Sequence, residues 1–252
     1  MCPEGPSPAC PSQLSKVELV RLANECSKDT YLAGLPQQLV NTVDMALHMG
    51  HVALPVHRFL LIASSSVFWD VLAFQDSTQA DSVGHIPLID DDQEGVVLAL
   101  GYMYQQVLLS EVTPQIRSIE DAKYVGKFAN KYGIQALLGG CDLYVQQWLI
   151  NNFFEVRPRW PDAFPAGIAD RLPEWVAFAT NTNLHKSLMA CEDWIVEAHK
   201  STGHGSSAIG NLDIQFDVFS KESLVRILDT VFHERSSMLT HCLSGCQLMP
   251  SQ

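Results

Sequence analysis

The chain has 252 residues, 47% of them hydrophobic and 17% charged, with a formal net charge of −12 at pH 7. That balance suits a packed globule of one large or two modest domains and excludes a disordered chain. The acidic total, with no run concentrating Lys and Arg, argues against direct nucleic-acid binding and against an anionic membrane surface, since both need basic groups opposite phosphate. No stretch reaches the apolar length of a membrane span, and no basic n-region precedes an apolar run at the start. Cys2, Cys10, Cys26, Cys141, Cys191, Cys242 and Cys246 make an odd count in a chain too large to need staples, and they read as reduced thiols. The expected compartment is cytoplasm or nucleus.

Residues 1–13 carry Pro3, Pro6, Pro8 and Pro11, which predicts a disordered tail. Over 14–39 the apolar residues Val17, Val20, Leu22, Leu35 and Leu39 are loosely periodic, which predicts an N-terminal extension of short helices. Val43, Met45, Leu47 and Met49 then alternate with polar or small residues, and Val52, Leu54 and Val56 resume the alternation after Gly50 and His51. This predicts a β-hairpin with Gly50-His51 at its tip and Pro55 on an edge strand.

From 57 to 74 the period becomes helical through Leu60, Leu61, Val67, Phe68, Val71 and Leu72, giving two short helices joined at Ser64, Ser65 and Ser66. A polar loop over 75–84 leads to a strand at Ile86 and Leu88. Asp90, Asp91 and Asp92 offer capping chemistry to a helix bearing Val96, Leu100 and Met103. Ser118 and Asp121 resemble a capping box before a helix that ends at Gly133. A further helix aligns Leu137, Cys141, Tyr144, Val145 and Trp148. Prolines 158, 161, 165 and 173 mark a linker, and helical stripes return at Leu184, Leu188, Cys191 and Ile195 and again at Leu224, Ile227, Leu228 and Val231. No fixed-period repeat is evident.

The segment 44–148 resembles a BTB/POZ domain. Four runs carry the resemblance: Asp44-Met45-Ala46-Leu47 followed by Gly50, then Pro55-Val56-His57-Arg58 with the helical entry 61–68, then Ile86-Pro87-Leu88-Ile89-Asp90 with 97–104, and last 121–133 with Leu138, Cys141 and Leu149. The segments 172–179 and 187–192 are similar to the helical BACK-like extension found in BTB adaptor proteins. Gln105-Gln106 and Ala46-Leu47 depart from the family pattern. The expected fold is α+β, a BTB/POZ domain with a small sheet covered by helices, followed by an all-helical C-terminal extension. Its expected parts are a tail over 1–13, the helical extension over 14–39, the domain over 40–150, a Pro-rich linker over 151–170, the BACK-like region over 171–240 and a disordered tail over 241–252.

The resemblance implies a homodimer and assigns Asp44, His57 and Arg58 to a pocket at the dimer interface, with Asp44 and Arg58 as an acid–base pair. The other reading of that pair is two solvated charges. Phe74-Gln75-Asp76 falls where cullin-binding BTB domains carry a hydrophobic residue, any residue and glutamate, so Phe74 and Asp76 are the candidate cullin contact; loop polarity explains them equally well. His57 without a placed Ser or Cys partner reads as a structural hydrogen-bonding group. Gly203-His204-Gly205-Ser206 lacks the closing glycine of a nucleophile elbow. His241, Cys242 and Cys246 fall short of four paired zinc ligands, and the three aspartates at 90–92 lack the spacing of a calcium loop.

The expected function is therefore a protein-interaction module without catalysis, cofactor or metal. It is read as a homodimeric substrate adaptor of a cullin-RING ubiquitin ligase, whose partners are a second copy, a cullin scaffold and an unidentified protein substrate, with no direct nucleic acid and no membrane. The alternative is a dimerising scaffold or transcriptional cofactor that binds no cullin.

Overall fold

The structure is a computed structural model that describes residues 14–28, 30–76, 84–109, 116–154, 172–201, 220–227 and 229–230. The chain divides into two compact units, Met1–Cys141 and Asp142–Gln252. The expectations for the tails over 1–13 and 241–252, for Gly203 to Ser206, and for His241, Cys242 and Cys246 lie outside the described residues. So does most of the expected linker.

Helix α1 (Lys16–Cys26) begins on a complete capping box: the Ser15 hydroxyl accepts from the Glu18 amide at 3.3 Å, and Glu18 Oε2 accepts from the Ser15 amide at 2.8 Å. The pattern Ser-x-x-Glu was present in the sequence and went unread. A short helix α2 (Gln37–Val40) leads to strands β1 (Met45–Met49) and β2 (Val52–Val56), paired antiparallel with Met49 opposite Val52. The two-residue tip is Gly50-His51, where Gly50 takes φ +56 as the first position of such a turn requires.

Two helices follow, α3 (Arg58–Ser64) and α4 (Ser66–Asp76), separated by Ser65 in extended conformation. Strand β3 (Gly84–Pro87) then adds to β1 in parallel, giving the order β2-β1-β3 and leaving Pro55 on an edge strand. The predicted loop is shorter than 75–84, because α4 runs on through Asp76.

Helices α5 (Gln93–Leu109), α6 (Ile119–Lys131) and α7 (Gln135–Leu149) complete this part, and α7 continues into a wider π-helical turn, Ile150–Phe154. The boundary between the two units falls inside α7. Each acid of the run 90–92 has its own structural task. Asp92 caps α5 through the Gly95 amide at 2.8 Å; Asp91 accepts from Lys131 at 2.8 Å and from the Tyr132 hydroxyl at 2.6 Å; Asp90 turns the backbone at φ +59. The Ser118 hydroxyl caps α6 through the Asp121 amide, but Asp121 accepts the Ser118 hydroxyl rather than its amide, so the box is half made.

The core of the first unit gathers Met45, Leu47 and Val56 from the sheet, Leu60, Leu61, Phe68 and Leu72 from α3 and α4, and Leu100, Met103, Val125 and Leu137 from the later helices, all almost fully buried. Phe68 stacks on Tyr132 at 4.7 Å between ring centroids, and Ser65 donates its hydroxyl to the Tyr132 carbonyl. Helix α1 packs against β2. In the second unit, α8 (Leu172–Asn181) and α9 (His185–Ser201) pack together, and residues 221–227 are helical. Trp148 of α7 meets Trp175 of α8 at 5.0 Å.

Candidate interaction surface

The passage from β2 into α3 places a polar side chain and an apolar one in opposite directions. His57 stands at the N-cap position of α3 with extended backbone, yet its ring turns inward and is 3% exposed. Nε2 lies 2.9 Å from the Leu39 carbonyl, which can only accept, so that nitrogen carries the proton. Nδ1 then accepts from the Tyr104 hydroxyl at 2.8 Å, while the His57 amide donates to the same oxygen at 3.0 Å. Burial pushes the Tyr104 phenol well above its usual range, with the charge of Asp44 adding to the effect. Tyr31 stacks on Tyr104 at 5.9 Å and donates to the Pro55 carbonyl.

With its ring committed inward, His57 leaves the helix start uncapped, and Asp44 supplies the acceptor. Its Oδ1 takes the Arg58 amide at 2.7 Å, whereas the Arg58 guanidinium donates to the Leu72 carbonyl at 3.3 Å. This Asp44–Arg58 hydrogen bond runs from backbone amide to carboxylate, and Asp44 is exposed in the single chain. A helix N-terminus offers a fixed backbone donor within reach of the Asp44 carboxylate.

The neighbouring side chains face water. Phe59 of α3 is 53% exposed and Trp69 of α4 is 56% exposed, and Val67 and Val71 of α4 are exposed as well. Among the described side chains of that helix, Phe68 and Leu72 reach the core. Large apolar residues concentrated on one helix, rather than scattered singly, mark a surface for association. Phe74 and Asp76 belong to the last turns of α4 and not to a loop; their side chains lie outside the described residues. The structure brings Asp44, His57 and Arg58 together and leaves Phe74 and Asp76 at the far end of the next helix.

A second polar contact was not anticipated. His48 Nε2 and His85 Nδ1 meet at 2.9 Å across β1 and β3. Burial holds both imidazoles below the usual histidine range, and for His48 the charge of His85 adds to it. Among the described residues no three His, Cys, Asp or Glu side chains gather as a metal site would require. No described helix is long and apolar enough to cross a membrane. Cys191 has its thiol pushed up to about 12 by burial, then by Glu192, so it is held protonated and is a poor nucleophile.

Residues 35–148 match the family model of the BTB/POZ domain. No curated protein matches the chain. The α+β part is thus a BTB domain, a small three-stranded sheet with many helices, and BTB domains are protein-interaction modules.

Proposed function

We propose that the protein is a homodimeric substrate adaptor of a cullin-RING ubiquitin ligase. What supports this reading is the set of exposed apolar side chains on α3 and α4, in a domain of the BTB class, with Phe74-Gln75-Asp76 closing α4. Phe59, Val67 and Trp69 are residues that a second copy would bury, since homodimer interfaces resemble a divided core. Phe74 and Asp76 would meet the cullin, Phe74 as an anchor and Asp76 as an acceptor. The BACK-like helices over 171–240 would hold the substrate. The adaptor itself transfers nothing; it raises the effective concentration of substrate lysines at an enzyme carried by the scaffold.

Calorimetric titration against a cullin N-terminal domain tests the reading. Replacing Phe74 and Asp76 together with Ala is expected to weaken binding by roughly thirtyfold or more, the effect of losing about 2 kcal/mol at an anchor. Equal affinity of the double variant would move the contact elsewhere. A wild-type chain that binds no cullin would sink the adaptor role and leave a dimerising scaffold.

A further inference from the structure

We infer that the α8–α9 pair is a second copy of the α6–α7 pair, set fifty residues further along the chain and seated by a carboxylate of the first copy. The turns are the clearest sign. In the first, the Tyr132 amide bonds Phe128 O at 3.0 Å, Gly133 bonds Asn130 O at 3.3 Å, Ile134 bonds Ala129 O at 2.8 Å, and Leu138 bonds Ile134 O at 3.0 Å. Fifty residues on, Thr182 bonds Phe178 O at 3.0 Å, Asn183 bonds Thr180 O at 3.3 Å, Leu184 bonds Ala179 O at 2.8 Å, and Leu188 bonds Leu184 O at 2.9 Å. Each is a Schellman stop that runs straight into the next helix, with its left-handed residue at Gly133 (φ +63) or Asn183 (φ +55).

The interiors agree in the same register. Val125, Phe128, Ala129, Ile134, Leu138, Cys141 and Val145 correspond to Trp175, Phe178, Ala179, Leu184, Leu188, Cys191 and Ile195, and every one of these is buried except Phe178, which is half-buried. Outward positions have diverged: Tyr124 corresponds to Glu174, Gly139 to Met189 and Leu143 to Asp193, all exposed. Agreement inside with divergence outside is the pattern of one structural unit used twice for different surfaces. The sequence concealed it because only Phe128/Phe178, Ala129/Ala179, Leu138/Leu188 and Cys141/Cys191 are identical within the stretch 122–145 set against 172–195.

Among the buried positions that depart from the pattern, one shows how the second copy is held. Leu137 has become Ser187, fully buried. Leu184, at the N-cap of α9, has no side-chain acceptor, and Asp142 of α7 takes that place: its carboxylate accepts from the Lys186 amide at 2.9 Å, the Ser187 amide at 2.8 Å and the Ser187 hydroxyl at 2.8 Å. Asp142 is thus the positioning residue for the added hairpin. The inference does not depend on cullin binding.

Hydrogen exchange on the full-length chain tests both halves. Asp142→Ala is expected to speed exchange of the Lys186 and Ser187 amides by about tenfold or more, while the control Asp193→Ala leaves them unchanged. Moving the first turn into the second, as Asn181→Lys with Asn183→Gly and Leu184→Ile, is expected to keep the protection of α8 and α9 and a melting midpoint within about 2 °C of wild type. Unchanged Lys186 and Ser187 exchange in Asp142→Ala would remove the seating role. Loss of α8 and α9 protection in the transplant, with α6 and α7 intact, would overturn the duplication.

Discussion

His57 and Phe59 stand two residues apart at the entrance to α3 and behave as opposites. His57, the polar one, is buried with its amide and both ring nitrogens hydrogen-bonded; Phe59, the apolar one, keeps more than half its surface in water. A histidine so fully occupied has no lone pair or proton left for a ligand, and its role is to tie α2, β2 and α5 into one structure. Phe59 and Trp69 each keep more than half of their surface in water, where apolar area gains nothing for the single chain. On the proposed function, association at α3 and α4 would rest on the exposed hydrophobic residues, and stability on the buried polar ones.

The comparison breaks most sharply at Tyr104. Tyr104→Phe leaves the His57 amide and Nδ1 buried without a partner, and each unpaired group costs roughly 1–3 kcal/mol. The midpoint of thermal unfolding should fall by about 2–4 °C for each kcal/mol in a chain of this size. An unchanged midpoint would mean that water reaches the ring and that His57 is open to ligands.

A smaller loss is expected from Asp44→Ala, about 1 kcal/mol for the missing cap. Arg58→Ala retains the amide that Asp44 binds, so a double-mutant cycle should give a coupling energy near zero. Coupling above about 1 kcal/mol would show that the two side chains do pair, as the family resemblance implied.

Acid provides a third, graded test. The folded pKa of both His48 and His85 lies below the unfolded value, so their contact contributes stability that is present above the unfolded pKa of 6.5 and is lost as pH falls through the folded values. The melting midpoint should decline as pH falls below about 6.5, and His48→Gln should flatten that decline. Equal slopes for variant and wild type would place the acid sensitivity elsewhere.

Much of this was legible in the residues. Alternation over 43–56 marked the hairpin and its two-residue tip, Pro55 told of an edge strand, and of the helical stripe Leu60, Leu61, Phe68 and Leu72 are buried whereas Val67 and Val71 are exposed. Long-range partners were not legible, because nothing local in the sequence joins His57 to Tyr104, forty-seven positions away, or Ser65 to Tyr132. The hydrogen bond from the Arg58 amide to Asp44 also escaped, since a motif names residues and not which of their atoms meet. Exposure escaped for a similar reason: Phe59 and Trp69 fit a helical stripe as well as Leu60 and Phe68 do, and only packing decides which ones face water.

The smallest effect on the single chain and the most direct test come from the same variant. Phe59→Ser with Trp69→Ser removes exposed surface and should leave the melting midpoint of a dilute sample nearly unchanged. Sedimentation velocity at micromolar concentration should report twice the chain mass of 27.9 kDa for the wild type and a single chain for the variant. A wild type that sediments as one chain would contradict self-association, and a variant that still sediments as two would place the interface away from α3 and α4.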